Sequence, residues 1–310
     1  MPEGQNVCLS IYAVSFLVPL IDAHATDSKA SFRETLKFGA LVAKEGGRLA
    51  RSCKEVLTTL RRRAAGSGEV RVNTEAYIRH YQQDCGTDST RNATSHIMTA
   101  DLIADDPVSE TVWNDVLFNT ASFENLWKCP FSKNSTYTGS FFNKWTDRVT
   151  VQVMRKTGVL PYSYYRDLDA DVVCLPYADG ALSMVLIAQR SSSSGPLKLT
   201  PDAVRGFVHG AVGTLVTLHL PKFHLWTSID MTDVINDVAS TYYESERLHF
   251  LHLRQEGRCF IDEGQWPAVS SERTLYVGDP VTIVVNKPFC FVIADQTSDL
   301  VLYTGRVMSL

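Results

Sequence analysis

The chain has 310 residues, 45% of them hydrophobic, and a formal net charge of -4. Such a chain can bury a substantial core as one large domain or two ordinary ones. Acidic and basic residues are interspersed, which argues against a nucleic-acid surface or a polybasic membrane patch and leaves protein as the expected partner.

From the start of the chain, Val7 to Ile21 is apolar. It lacks a basic leading region and Glu3 precedes it, so it reads as a buried helix rather than a signal-peptide core, and it is short for a membrane span. Localisation stays open between secreted and cytoplasmic. Phe32 to Gly39 and Leu41 to Arg63 have helical spacing, and Arg61-Arg62-Arg63 before Gly66-Ser-Gly suits a solvated helix C-terminus. Asn92-Ala-Thr and Asn134-Ser-Thr are glycosylation acceptors only in a secreted protein.

After about residue 145 the pattern changes to strands. Thr150-Val-Gln-Val-Met, Val172-Val-Cys-Leu, Leu182-Ser-Met-Val-Leu-Ile and Leu215-Val-Thr-Leu-His-Leu are separated by turn-rich segments, and Ser191-Ser-Ser-Ser-Gly-Pro reads as a surface loop. Near the end, the β-branched run from Val281 to Ile293, a polar turn at Asp295-Gln-Thr-Ser-Asp, and Leu300-Val-Leu-Tyr-Thr-Gly-Arg-Val read as a buried hairpin. Helices first and strands later, with no internal repeat, favour an α+β fold.

Enzyme chemistry has no foothold. There is no phosphate cradle, no Gly-x-Ser-x-Gly elbow and no His-Glu-x-x-His helix, so no nucleophile is named, no catalytic residue is assigned, and no cofactor is implied. The seven cysteines (8, 53, 85, 129, 174, 259, 290) show no Cys-x-x-Cys spacing, and their odd number leaves at least one free thiol in a monomer. His249 and His252 lack a companion at metal spacing. Asp167, Asp169 and Asp171 lack the Gly and distal Glu of a calcium loop and read as a solvated turn, so no metal is expected.

Five blocks in order carry a resemblance. Asn6-Val-Cys-Leu-Ser-Ile-Tyr-Ala-Val-Ser comes first, then Val116-Leu-Phe-Asn-Thr-Ala-Ser-Phe-Glu-Asn-Leu-Trp-Lys-Cys-Pro-Phe. Val172-Val-Cys-Leu-Pro-Tyr-Ala-Asp-Gly-Ala-Leu-Ser-Met-Val-Leu-Ile and Leu218-His-Leu-Pro-Lys-Phe follow. The last is Asn286-Lys-Pro-Phe-Cys-Phe-Val-Ile with Leu302-Tyr-Thr-Gly-Arg-Val. Together they resemble the serpins. The resemblance implies a single serpin-like α+β domain over 1–310, a helical N-terminal half packed on several β-sheets, and an exposed reactive-centre loop at about 264–281. Taken alone, Trp127 is a core aromatic and Asn119 a buried amide. Under the resemblance Trp127 sits at the breach where the loop enters the central sheet, and Asn119, Ser10 and Gln255 lie in the shutter beneath it.

Between Ile261 and Val281 the sequence is turn-rich and patternless, which reads as a long exposed loop, uncommon unless functional. In a serpin a protease cleaves this loop as an acyl-enzyme, and the cleaved loop inserts as a strand and distorts the enzyme. Counting back from Asn286 puts the scissile bond at Tyr276-Val277 or Val277-Gly278, with Arg273-Thr274 as a trypsin-like alternative. The hinge begins at Glu263 and Gly264 and continues through Gln265, Trp266 and Pro267, where inhibitory members have small residues. Pro267 lacks a ladder donor, about 3 kcal/mol inside regular structure, and Trp266 needs space. The pair predicts little gain in thermal stability on loop cleavage.

Further departures are Ile11 and Ala13 at the usual Pro and Ser of the shutter, Gln255 at a family His, Glu256 at a family Lys, and compression between residues 60 and 115. The resemblance implies a monomeric inhibitor of a serine or cysteine protease. The alternative is a non-inhibitory binding or decoy protein that has lost loop insertion. The compact length and eroded motifs fit a viral copy with an immune-modulating role.

Overall fold

A computed structural model describes residues 4–10, 55, 58, 59, 62, 68–79, 94–99, 116–125, 127–178, 180–192, 200–231, 252–264 and 279–310. In chain order its strands are β1 (Val7–Leu9), β2 (Gly68–Arg79), β3 (Thr94–Thr99), β4 (Val116–Asn125), β5 (Tyr137–Asn143), β6 (Asp147–Tyr165), β7 (Ala170–Pro176) and β8 (Leu182–Gln189). They continue as β9 (Val212–Pro221), β10 (Phe223–Asp230), β11 (His252–Ile261), β12 (Val281–Val284), β13 (Phe289–Asp295) and β14 (Leu300–Val307).

These strands make two sheets. One has nine strands in the order β1-β14-β13-β8-β7-β6-β9-β12, with β5 pairing β6; the other has five in the order β10-β11-β4-β2-β3. The strand-like segments read from residue 145 onward lie in β6, β7, β8 and β9. The C-terminal hairpin is β13 with β14, antiparallel, with a register shift between Ile293 and Ala294. Its turn is fixed by Asp295, whose Oδ1 accepts from the Thr297 N–H at 2.8 Å. The run from Val281 is interrupted at Asn286-Lys-Pro, so β12 separates from the hairpin and pairs in parallel with β9.

Three layers follow from burial. β7 and β8 are apolar runs buried over nearly their whole length, as both-face burial requires. Their inner side chains and those of β13 face the five-stranded sheet, where Phe223 meets Phe289 and Phe291 at 5.4 and 5.7 Å between ring centres. Their outer side chains, Val172, Cys174, Val185, Ile187 and Val292, are covered by Val204 and Phe207 of the helix Pro201–His209. Thr200 caps that helix, its hydroxyl accepting from the Ala203 N–H at 3.2 Å, and Pro201 stands at its start where no donor is needed. By contrast β10 alternates buried and exposed residues, the mark of a sheet covered on one face.

The α+β class holds, with helical backbone also at Glu55, Thr58, Thr59 and Arg62. Two details differ from the sequence reading. Long strands already run from Gly68, well before residue 145, because β2 to β4 supply most of the five-stranded sheet. Val7–Leu9 is a strand rather than the start of a helix: it pairs with β14 through Val7 and Arg306, Cys8 and Gly305, and Leu9 and Thr304. Asn6 adds a second tie, its Oδ1 accepting from the Met308 and Ser309 N–H groups at 2.7 and 3.0 Å.

Candidate functional site

The five-stranded sheet has one parallel pairing. β10 with β11, β4 with β2 and β2 with β3 are antiparallel, whereas β11 runs parallel to β4 from His252 opposite Val116 to Cys259 opposite Phe123. At the C-terminal end of this seam the chain leaves the sheet through Asp262, Glu263 and Gly264.

That exit is clamped by four distant segments. The Trp127 indole N–H donates to the Asp262 carbonyl at 2.9 Å, and the Phe131 N–H donates to the Glu263 carbonyl at 3.0 Å. Trp127 is buried and stacks flat on Tyr177, ring centres 4.6 Å apart, while the Lys128 N–H donates to the Pro176 carbonyl at 3.0 Å. The Glu263 side chain is 4% exposed, and its Oε1 receives the Lys222 ammonium at 2.6 Å and the Thr136 hydroxyl at 2.7 Å. Burial pushes this carboxyl up, but the hydrogen bonds from Lys222 and Thr136 outweigh it and hold the group below its ordinary value.

Gly264 then turns the chain with φ +79°, its N–H donating to Asp262 Oδ1 at 2.8 Å. A Cβ here would sit 3.1 Å from the Trp127 ring, so both conformation and contact require glycine.

A second cluster lies halfway down the seam. Gln255 is fully buried and its Nε2 donates to the Ser10 carbonyl at 2.9 Å; the Ser10 hydroxyl donates to Leu302 at 2.9 Å. Gln255 is also the register partner of Asn119 across the parallel pairing. The structure thus brings Ser10, Gln255 and the Asn119 backbone together, and separately Trp127, Glu263 and Gly264. Glu256 points to the other face, between Arg254 and Arg258 at 3.9 and 4.0 Å.

Gln265, Trp266, Pro267, Arg273, Tyr276, Val277 and Gly278 lie outside the described residues, as do Ile11, Ala13, Asn92 and His249. Asn134 is exposed in a short turn. Asp167 is exposed, but Asp171 departs from the solvated-turn reading: it is buried in β7 and takes Arg190 at 2.7 and 2.8 Å. Among the described residues no group of His, Cys, Asp or Glu is arranged to hold a metal, and no helix is long and apolar enough to cross a membrane.

A family model described as serpin (serine protease inhibitor) matches residues 89–310. The chain belongs to the serpin family. Relatives of this serpin include the serine protease inhibitor 42Dd of Drosophila melanogaster, 27% identical over 63% of this chain and 55% of that protein. Another is the superinfection exclusion protein of Vaccinia virus (strain Ankara), 23% identical over 71% of this chain and 61% of that protein. The serpin here therefore spans a little over half the length of the curated relatives it matches. In structure it resembles mouse protein-Z dependent protease inhibitor, with a TM-score of 0.73 and 17% identity over 98% of this chain and 91% of that one, a likeness of fold.

The two residues that hold the Glu263 carboxylate, Lys222 and Thr136, escaped sequence reasoning. Lys222 stood within Leu218-His-Leu-Pro-Lys-Phe as a lone cation after proline, a signal that could have been paired with Glu263. Thr136 offered none.

Proposed function

We propose that this serpin is a single domain over residues 1–310 that traps an endopeptidase as a suicide substrate, with the loop at about 264–281 as bait. The observation that carries the reading is the parallel seam between β11 and β4, beyond which the chain turns at Gly264. A chain folding back after β11 runs antiparallel to β11 and therefore antiparallel to β4. Inserted between them, it replaces one parallel pairing by two antiparallel ones, slightly more stable per residue, and makes the whole sheet antiparallel. Trp127, Glu263 and Gly264 fix the root of the loop; Ser10, Gln255 and Asn119 are the contacts beneath the seam that part when it opens.

The partner is a protease acting at Tyr276-Val277 or Val277-Gly278, with chymotrypsin-like or elastase-like enzymes suited to those residues and a trypsin-like enzyme suited to Arg273. The protein acts as a monomer and performs no catalysis of its own. Pro267 and Trp266 hinder insertion, so part of the protein is cleaved as ordinary substrate and stays uninserted, which keeps the gain in thermal stability on cleavage small.

The test is incubation with chymotrypsin-like, elastase-like, trypsin-like and caspase-type proteases, followed by a denaturing gel. An SDS-resistant covalent complex alongside cleaved chain is expected with at least one enzyme. Clean cleavage without complex across the panel sinks the inhibitor reading and returns the binding or decoy alternative.

A further inference from the structure

Cys8 and Cys259 are separated by 251 positions in the chain yet meet where β1 passes beneath β10 and β11. Both are free and fully buried in the core between the sheets. Cys8 is held in place on β10 by its own backbone: its N–H donates to the Thr227 hydroxyl at 3.0 Å, and its carbonyl accepts from the same hydroxyl at 2.8 Å. Thr227 is the register partner of Gly257, and a Cβ on Gly257 would strike the Cys8 carbonyl, so β1 and β11 touch backbone to backbone there. A Cβ on Gly257 would also lie 3.4 Å from the Cys8 Cβ, and Cys259, two residues on and therefore on the same face of β11, brings its thiol beside that of Cys8 in the same core cluster.

We infer that Cys8 and Cys259 are a modification site, forming a disulfide that joins β1 to β11 when the chain folds in the presence of a low-molecular-weight disulfide such as oxidised glutathione. One cysteine thiolate attacks the oxidised glutathione and expels a glutathione thiolate. The other cysteine thiolate then displaces the second glutathione from the mixed disulfide. The two cysteine protons pass to the two expelled thiolates, so one oxidised glutathione becomes two reduced molecules and the two thiols become one disulfide. The neighbouring Cys8 thiol and burial raise the Cys259 thiol well above its ordinary value. Exchange therefore belongs to folding or transient opening rather than to the closed native state.

The consequence is mechanical. β1 is hydrogen-bonded to β14 of the nine-stranded sheet, so the bond would fasten β11, and β10 beside it, to that sheet. Under the proposed trapping mechanism, on which this step rests, the seam would then open by movement of β4, β2 and β3.

The test folds the full chain with and without oxidised glutathione, blocks free thiols with iodoacetamide in denaturant, and maps unreduced peptides by mass spectrometry. Exposed Cys129 should take up glutathione and so shows that the reagent acted. The expected result is a Cys8 peptide linked to a Cys259 peptide, with an unfolding temperature raised by about 5 °C over the reduced form. The rise should vanish in Cys259→Ser. Should refolding fail, the purified native protein is incubated with oxidised glutathione just below its unfolding temperature and mapped in the same way. Both thiols alkylated while Cys129 is glutathionylated, or Cys8 linked to another cysteine, overturns the inference. Because linkage is read in denatured chain and needs no protease to be trapped, its failure is distinct from failure of the trap.

Discussion

In the nine-stranded sheet, β7, β8 and β13 are buried on both faces and bonded to antiparallel neighbours, with a helix over one side and the other sheet over the second. In the five-stranded sheet, β10 and β11 are packed on one face among the described residues; their other face carries exposed Trp226 under Arg258, ring centre 4.6 Å from the guanidinium, and Phe260 against His224. β11 is also bonded to β4 through the weaker parallel pattern. The same chain thus builds a frame of strands buried on both faces and, against it, a five-stranded sheet with one parallel pairing, beyond whose end the ties to Asp262, Glu263 and Gly264 converge.

This contrast can be broken from either side. The largest effect belongs to the frame: Phe291→Ala removes a fully buried ring that packs against Phe223 and should cost about 3–5 kcal/mol by equilibrium denaturation. Next is the latch. Lys222→Ala strands the buried Glu263 carboxylate and should cost about 3 kcal/mol, the lower end for such a loss because Lys222 is partly exposed. Unlike the frame mutation, it should also hasten proteolysis at the loop.

Acid should act on the same latch. Glu263 is held below the ordinary glutamate value of 4.5, so its contribution is complete above that value and is lost as the pH falls through the lowered native one. Loop proteolysis by an acid-tolerant protease should accelerate across that window in the native protein, and far less in Lys222→Ala. The smallest effect on stability belongs to Pro267→Ala, which should leave the unfolding temperature nearly unchanged while raising severalfold the fraction of protease captured as covalent complex. An unchanged fraction would show that this proline does not limit insertion.

Much of this division was legible in the sequence, for reasons that differ by region. The buried runs of β7, β8 and the C-terminal hairpin announce themselves through continuous apolar residues. Trp127 stood in a recognisable block, and Glu263 and Gly264 stood at the start of the segment read as the hinge. β2 was missed although Val70, Val72, Thr74, Ala76 and Ile78 alternate with charged or polar neighbours, a period-two signal that went uncounted beside the helical pattern before it. The Lys222 and Thr136 contacts to Glu263, the Gln255 bond to Ser10 and the meeting of Cys8 with Cys259 depend on register between strands far apart in the chain. No local pattern carries that information.

The central claim is that the seam between β11 and β4 receives the loop. Its most direct test is hydrogen exchange followed by mass spectrometry on the protein before and after a single cut within the loop. Insertion predicts that the peptide following Gly264 gains lasting protection after cleavage, with β4 and β11 still protected. A peptide that exchanges as fast after the cut as before it would contradict the account.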